Sequence, residues 1–425
     1  MPRLRSVLDC LVITMMTLAG PAAAQEGPST EELDAKVDAL ASELNRLRES
    51  LSVPEEEARK SRFGLGPAAS KVYDNDGLSI GGYGELFFGH YFGDDATRPA
   101  HRGDVYRFIA YFGYKFDDLV VFNTEVEFEH IDQAVVEFMY VDLLLSEHVN
   151  LRTGLMLMPM GIVNEMHEPT TFRGNFRPET ERTVIPSTWR EVGVGLLGSA
   201  GGFDYKLYLV SGLRADGFDL GGVAGGKQRG KLFVWEDKAA VARLGWSDGE
   251  MLDVGASAYY GGADQDPTEA TEVTHLVYEA HFILRVMGAE IRGLFAEGRT
   301  DGDVGGSGLP DDPATAVDES AGPFPVTPTV QRGWYVEGSY DLGPVLGFER
   351  AGLSPFFRFE RLDLNVEVPA GYVIDAARNT TRLIAGLEYK PHPDVVFKGE
   401  YDHGQSDVEG ADPVQELRLG VGFIF

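Results

Sequence analysis

Between Pro159 and Trp189 the chain gathers Asn164, Glu165, His167, Glu168, Thr170, Thr171, Arg173, Asn175, Arg177, Glu179, Glu181 and Arg182, and Arg190 follows at once. Guanidinium groups present planar, paired donors that fit carboxylate and phosphate oxygens. Arg173, Arg177, Arg182 and Arg190 could therefore line a constriction where a small anion is held or passed. The acids Glu165, Glu168, Glu179 and Glu181 match them four against four, so the same segment could instead be pinned by its own ion pairs. Either role needs a scaffold that holds the segment across a route for solutes.

The last twelve residues, VQELRLGVGFIF, show what that scaffold is. Leu417, Leu419, Val421, Phe423 and Phe425 share one face of a strand, and Glu416, Arg418, Gly420 and Gly422 share the other. Apolar outward, polar or glycine inward and aromatic at the carboxy-terminus is the pattern of a closing strand in an outer-membrane barrel, with Phe423 and Phe425 as its assembly signal. From residue 78 onward the chain reads as about sixteen such strands, the first over 78–92 and the last over 414–425. Tight links such as Ala200-Gly201 and Met287-Gly288 follow most even strands, while most odd strands are followed by long ones, including 159–189, 214–236 and 300–330. That asymmetry, with an even count, predicts an all-β fold: a transmembrane antiparallel β-barrel. Alternation assigns Glu125, Glu127, Arg152, Arg285, Arg382, Lys398 and Arg418 to the lumen wall, and sixteen strands leave room for water inside.

Ahead of the barrel, Arg3 and Arg5 precede an apolar run and Ala22-Ala23-Ala24, the plan of a signal peptide over 1–24. Its removal takes the single cysteine, Cys10, and leaves a net charge of −31 in place of −30. Leu33, Val37, Leu40, Leu44, Leu47 and Leu51 form a heptad seam, read as a periplasmic coiled-coil stalk over 25–61, with a linker over 62–77 and the barrel over 78–425. A single helix packing on its own domain is the alternative for the seam. So acidic a chain is a poor nucleic-acid binder.

Leu151 to Gly161, LRTGLMLMPMG, resembles the "strand, R-x-G, then P-x-G" segment of the phosphate-selective porins of the O and P type. Arg190 to Gly195, REVGVG, is similar to the R-x-x-G-x-G re-entry that follows their inward loop. The resemblance covers 78–425 and implies a trimeric, sixteen-stranded, anion-conducting porin whose third external loop folds inward. The chain departs from that family in its acidity and in a loop without basic excess, which leaves a general or different-solute pore equally open, and the acidic loops make a general or cation-preferring porin the runner-up. A non-conducting outer-membrane tether is the alternative from another class.

Other signals are weak. Gly221 to Gln228 nearly matches a phosphate-binding loop, but Gln228 stands where Ser or Thr must reach magnesium. The nine histidines show no metal-ligand spacing, so no metal or other cofactor is expected. Ser211 and His281 are bare candidates for a hydrolase, and no enzymatic activity is expected. The acids of 300–330, Asp301 among them, could meet lipopolysaccharide through divalent ions or simply be solvated. The expected partners are outer-membrane lipid and lipopolysaccharide, the barrel-assembly machinery, two further copies of the chain, and small solutes or anions.

Overall fold

The structure is a computed structural model that describes residues 61–93, 98–266, 272–302, 327–370 and 372–425, together with Lys36 alone. The expected signal peptide and, apart from Lys36 and Ser61, the expected stalk lie outside the described residues, as do 303–326 of the acidic loop.

Sixteen antiparallel strands close on themselves. They are β1 (Gly77–Tyr91), β2 (His101–Lys115), β3 (Val120–Glu129), β4 (Gln133–Leu143), β5 (Asn150–Leu157), β6 (Arg190–Ala200), β7 (Phe203–Ser211) and β8 (Lys238–Ser247). There follow β9 (Leu252–Gly262), β10 (Thr274–Val286), β11 (Ala289–Asp301), β12 (Val330–Tyr340), β13 (Gly352–Glu367), β14 (Asn379–His392), β15 (Val395–Ser406) and β16 (Val414–Ile424). Each strand pairs with its sequence neighbours, and β1 pairs with β16 from Tyr83↔Ile424 to Tyr91↔Glu416. The seam is finished by the last residue, whose amide donates to the Gly82 carbonyl at 2.9 Å and whose carbonyl accepts from the Gly82 amide at 3.0 Å. Among the described residues the sheet keeps no free edge for another chain to pair with.

The links alternate as expected. Gly201-Gly202 and Met287-Gly288 make two-residue turns with positive φ at both positions (60° and 84°, 49° and 83°), the geometry that suits the twist of a hairpin. The long connections sit at the other end, except that β3 and β4 are joined there by 130–132 alone. On the outer face Leu417, Leu419 and Phe425 are exposed, while Glu416 and Arg418 beside them are buried.

That burial corrects one expectation. Glu125, Arg152 and Arg358 face the lumen, yet each is no more than 2% exposed, so most of the interior is filled with protein rather than water. Two segments fill it. The first lies at the short-turn end: the residues read as a linker fold inward as α1 (Pro67–Ser70) and a turn of 3-10 helix, Lys71–Tyr73. Leu65, Ala68, Ala69, Val72 and Tyr73 are all buried. Tyr73 donates to Asp142 at 2.6 Å, and Arg152 grips the same carboxylate at 2.8 and 2.9 Å. A side chain at Gly113 would overlap Val72, so the wall is thinned where the segment enters. The second segment is the loop from Met158 to Trp189.

Candidate functional site: the inward loop and its recess

An irregular loop inside a barrel carries backbone groups that must find partners away from water. Here the wall supplies them. Lys398 donates to the carbonyls of Phe172 and Gly174 at 3.0 and 2.7 Å, Arg358 to those of Arg173 and Phe176 at 2.6 and 3.3 Å, and Lys390 to that of Thr170 at 2.8 Å. Arg243 reaches Gly161 at 2.7 Å and Arg292 reaches Thr171 at 3.2 Å. Carboxylates serve the amides in the same way. Glu360 accepts from Thr180 at 2.6 Å at the start of α2 (Glu179–Thr183), and Glu400 accepts from Asn175 at 2.9 Å. Glycines in β16 allow the close approach, since side chains at Gly420 and Gly422 would run into Asn175 and Pro169.

The loop's own charges pair mostly with the wall rather than with one another. Arg173 meets Glu388 at 2.5 Å and Glu290 at 3.4 Å, Arg190 meets Glu137 at 3.2 Å, and Glu165 meets Lys206 at 2.5 Å. Glu181 accepts from Tyr335 at 2.6 Å and from the amides of Ile162 and Val163, both at 2.8 Å. Glu168 accepts from the amides of Ala68 and Ala69 at 2.9 and 3.1 Å, tying the loop to α1, and burial pushes its carboxyl up to about 7 against those bonds. Of the four arginines and four glutamates weighed in the sequence, only Arg182 and Glu179 pair with each other, at 2.9 Å.

The expected wall residues fall into the same network. Arg382 pairs with Glu179 and Asp402, and Arg418 pairs with Glu400, Asp402 and Glu416. Glu125 holds His167 at 3.2 Å, and Glu127 lines the same recess as Glu137. Arg285 is 44% exposed at the short-turn rim, between Asp253 and Glu290. Ser211 donates to Glu191, whereas His281 lies against Glu279 and Arg243, so the two candidates for hydrolysis are engaged separately.

Arg177 is the exception. It is 7% exposed, and its Nε and Nη2 have no hydrogen-bond partner among the described residues. It faces a recess of about 310 Å³ with Arg107, Arg182, Arg190, Lys227 and Arg229, against Glu127, Glu129 and Glu137. Lys227, from the stretch that nearly matched a phosphate-binding loop, donates to the Pro186 carbonyl at 2.7 Å. Burial, with Arg229 and Arg190 beside it, pulls its pKa down to about 7. The recess adjoins a larger cavity of about 780 Å³ at the long-loop end, with Tyr106, Glu129, Phe176 and Arg182 lining both. That vestibule carries five basic groups (Arg98, Arg102, Arg182, Arg382, Arg418) and five acidic ones (Asp104, Glu129, Glu179, Asp412, Glu416). Arg107, Arg229 and Glu137 are not among the residues expected from the sequence, and Lys227 stands only in the discounted phosphate-loop match. Strand parity could have found Arg107, but nothing local marks Arg229 or Glu137.

No family model matches the chain. Among solved structures, the anion-selective porin of Comamonas acidovorans superposes with a TM-score of 0.54 at 9% identity, over 82% of this chain and 99% of that one. The trimer form of OmpT of Vibrio cholerae gives 0.53 at 14% identity, over 83% of this chain and 100% of that one. OmpF of Salmonella typhi in complex with daunomycin gives 0.53 at 11%, over 83% and 98%. These likenesses concern the fold: a sixteen-stranded barrel of the outer-membrane porin kind. In sequence, a protein of Aquifex aeolicus (strain VF5) described as uncharacterized is 34% identical over 372 residues, which is 84% of this chain and 82% of that protein. With that identity over most of both chains, the chain belongs to the same family as the Aquifex aeolicus protein.

Proposed function

We propose that the protein is an outer-membrane diffusion channel for small hydrophilic solutes, with a preference for anions set beside the inward loop. The observation that carries this reading is Arg177, buried with its Nε and Nη2 lacking a hydrogen-bond partner among the described residues, in a recess where six basic groups face three acidic ones. A buried guanidinium without a partner is costly, and a passing anion relieves that cost. The evenly charged vestibule admits solutes of either sign, so discrimination falls to the recess. Of the expected constriction residues, Arg177, Arg182 and Arg190 line the recess, while Arg173, Glu165 and Glu168 anchor the loop.

The closed barrel with an apolar outer face supports residence in the outer membrane. In this reading Phe423 and Phe425 are the signal for the assembly machinery, and the chain works as a homotrimer, as the trimer form of OmpT does. Phosphate is one candidate anion among small oxyanions. Swelling of liposomes containing the refolded protein tests the function: entry of small anions faster than neutral sugars of similar size is expected, and no entry of either would refute a channel.

A further inference from the structure

We propose that Glu125, Glu137 and His167 form a binding site for a divalent transition-metal ion, zinc in the first instance, that clamps the inward loop to the wall at β3 and β4. The donors come from three places in the chain, and one donor atom of each lies within 4.8 Å of the others. His167 Nε2 stands 3.2 Å from Glu125 Oε1 and 3.3 Å from Glu137 Oε2. Zinc at its usual bond lengths to nitrogen and oxygen sets tetrahedral donors about 3.3 Å apart, which the two spacings from the imidazole match, while the carboxylate oxygens lie within 4.8 Å of each other.

Three further features aim these groups at one point. The pairing of β3 with β4 slips between Glu125 and Val126, so that Glu125 opposes Phe138 while Val126 opposes Val136. Glu137 is the extra residue of that bulge, and the bulge turns it inward beside Glu125, a task such irregularities perform at functional sites. The Asn164 carbonyl accepts from His167 Nδ1 at 3.0 Å, which fixes the tautomer and turns Nε2 toward the carboxylates, as the outer contacts of metal-binding histidines do. Thr188 and Arg190 hold the far oxygen of Glu137. Glu125 and Glu137 are 0% and 1% exposed, and the Oε2 atom of each lacks a hydrogen-bond partner among the described residues.

Two carboxylates and an imidazole lone pair facing one another repel unless something positive stands between them. In the metal-free chain that is a proton on Nε2. A zinc ion takes its place when Nε2 releases the proton and donates its lone pair to the metal, with one oxygen of each glutamate bound and water in the fourth position. Arg190 and Arg177 oppose the added charge, and the two carboxylates that bind the ion balance it. The donor set, one nitrogen and two oxygens without sulfur, suits zinc or cobalt better than magnesium or calcium.

The test uses the untagged, refolded protein, freed of metal with a chelator and titrated with cobalt(II). The expected result is one ion per chain with the visible ligand-field absorption of four-coordinate cobalt, removed by added zinc. His167→Gln and Glu137→Gln should each weaken binding at least about tenfold, while Glu297→Gln on β11 leaves it unchanged. Absence of the absorption, or its persistence in both variants with the barrel intact by heat-modifiable migration, would overturn the site. Should the variants fail to fold, X-ray absorption on the zinc-loaded natural protein decides: an imidazole with oxygen ligands supports the site, and a shell without imidazole refutes it.

Discussion

The inward loop has two sides, and they are built on opposite terms. Toward β13–β16 its carbonyls at Phe172, Arg173, Gly174 and Phe176 take donors from Arg358 and Lys398, and Asn175 donates to Glu400. Toward the recess bounded by β2–β4, Arg177 is left with Nε and Nη2 unmatched among the described residues, in a basic surround. A buried polar group that is fully partnered holds structure, and one left unpartnered is costly unless something comes to it. The first side is thus an anchor and the second a place for a ligand. A lumen-facing charge is not in itself a charge that a solute meets.

Breaking the anchor should have the largest effect. Arg358→Met removes a buried guanidinium that pairs with Glu337 at 2.6 Å and holds two loop carbonyls, a loss of about 3 kcal/mol. The freed loop should raise single-channel conductance and its noise, both read in planar bilayers, with the anion preference reduced. Arg177→Met attacks the other side. It should leave conductance nearly unchanged and lower the anion-to-cation permeability ratio about two- to fivefold, equivalent to roughly 0.5–1 kcal/mol.

A pH series sharpens the comparison at smaller scale. Lys227 has its pKa drawn down to about 7, so it is charged below that value and loses its proton as pH rises through it. Anion preference should therefore decline between about pH 6 and 8, a window far below the ordinary lysine range. Lys227→Met should flatten the step, which reversal potentials taken at each pH would show. Smallest of all, Arg285→Ala breaks a rim pair whose partners are 44% and 35% exposed, and should shift heat stability by no more than about 0.5 kcal/mol. A large effect there would mean that rim charges matter as much as the lumen network.

Much of this was legible in the sequence, for physical reasons that can be named. Strand alternation is local, so sixteen strands, their turns and the inward row of Glu125, Arg152, Lys398 and Arg418 could be read directly. The partner of each charge is set by contacts between residues far apart in sequence, such as Arg173 with Glu388, and equal counts of Arg and Glu in the loop gave no hint of it. Glu137 was hidden by the bulge, because one inserted residue reverses the parity that assigns faces. Pro67–Tyr73 is too short and too plain to announce itself. Its small apolar residues acquire meaning only against the narrow inner wall at Gly81 and Gly113.

The most direct test of the division between anchor and recess is the reversal potential of the refolded natural protein in a planar bilayer under a potassium chloride gradient. Discrete conductance steps with a reversal potential displaced to the chloride side are expected. Steps that reverse on the potassium side, or a membrane that stays silent, would contradict it.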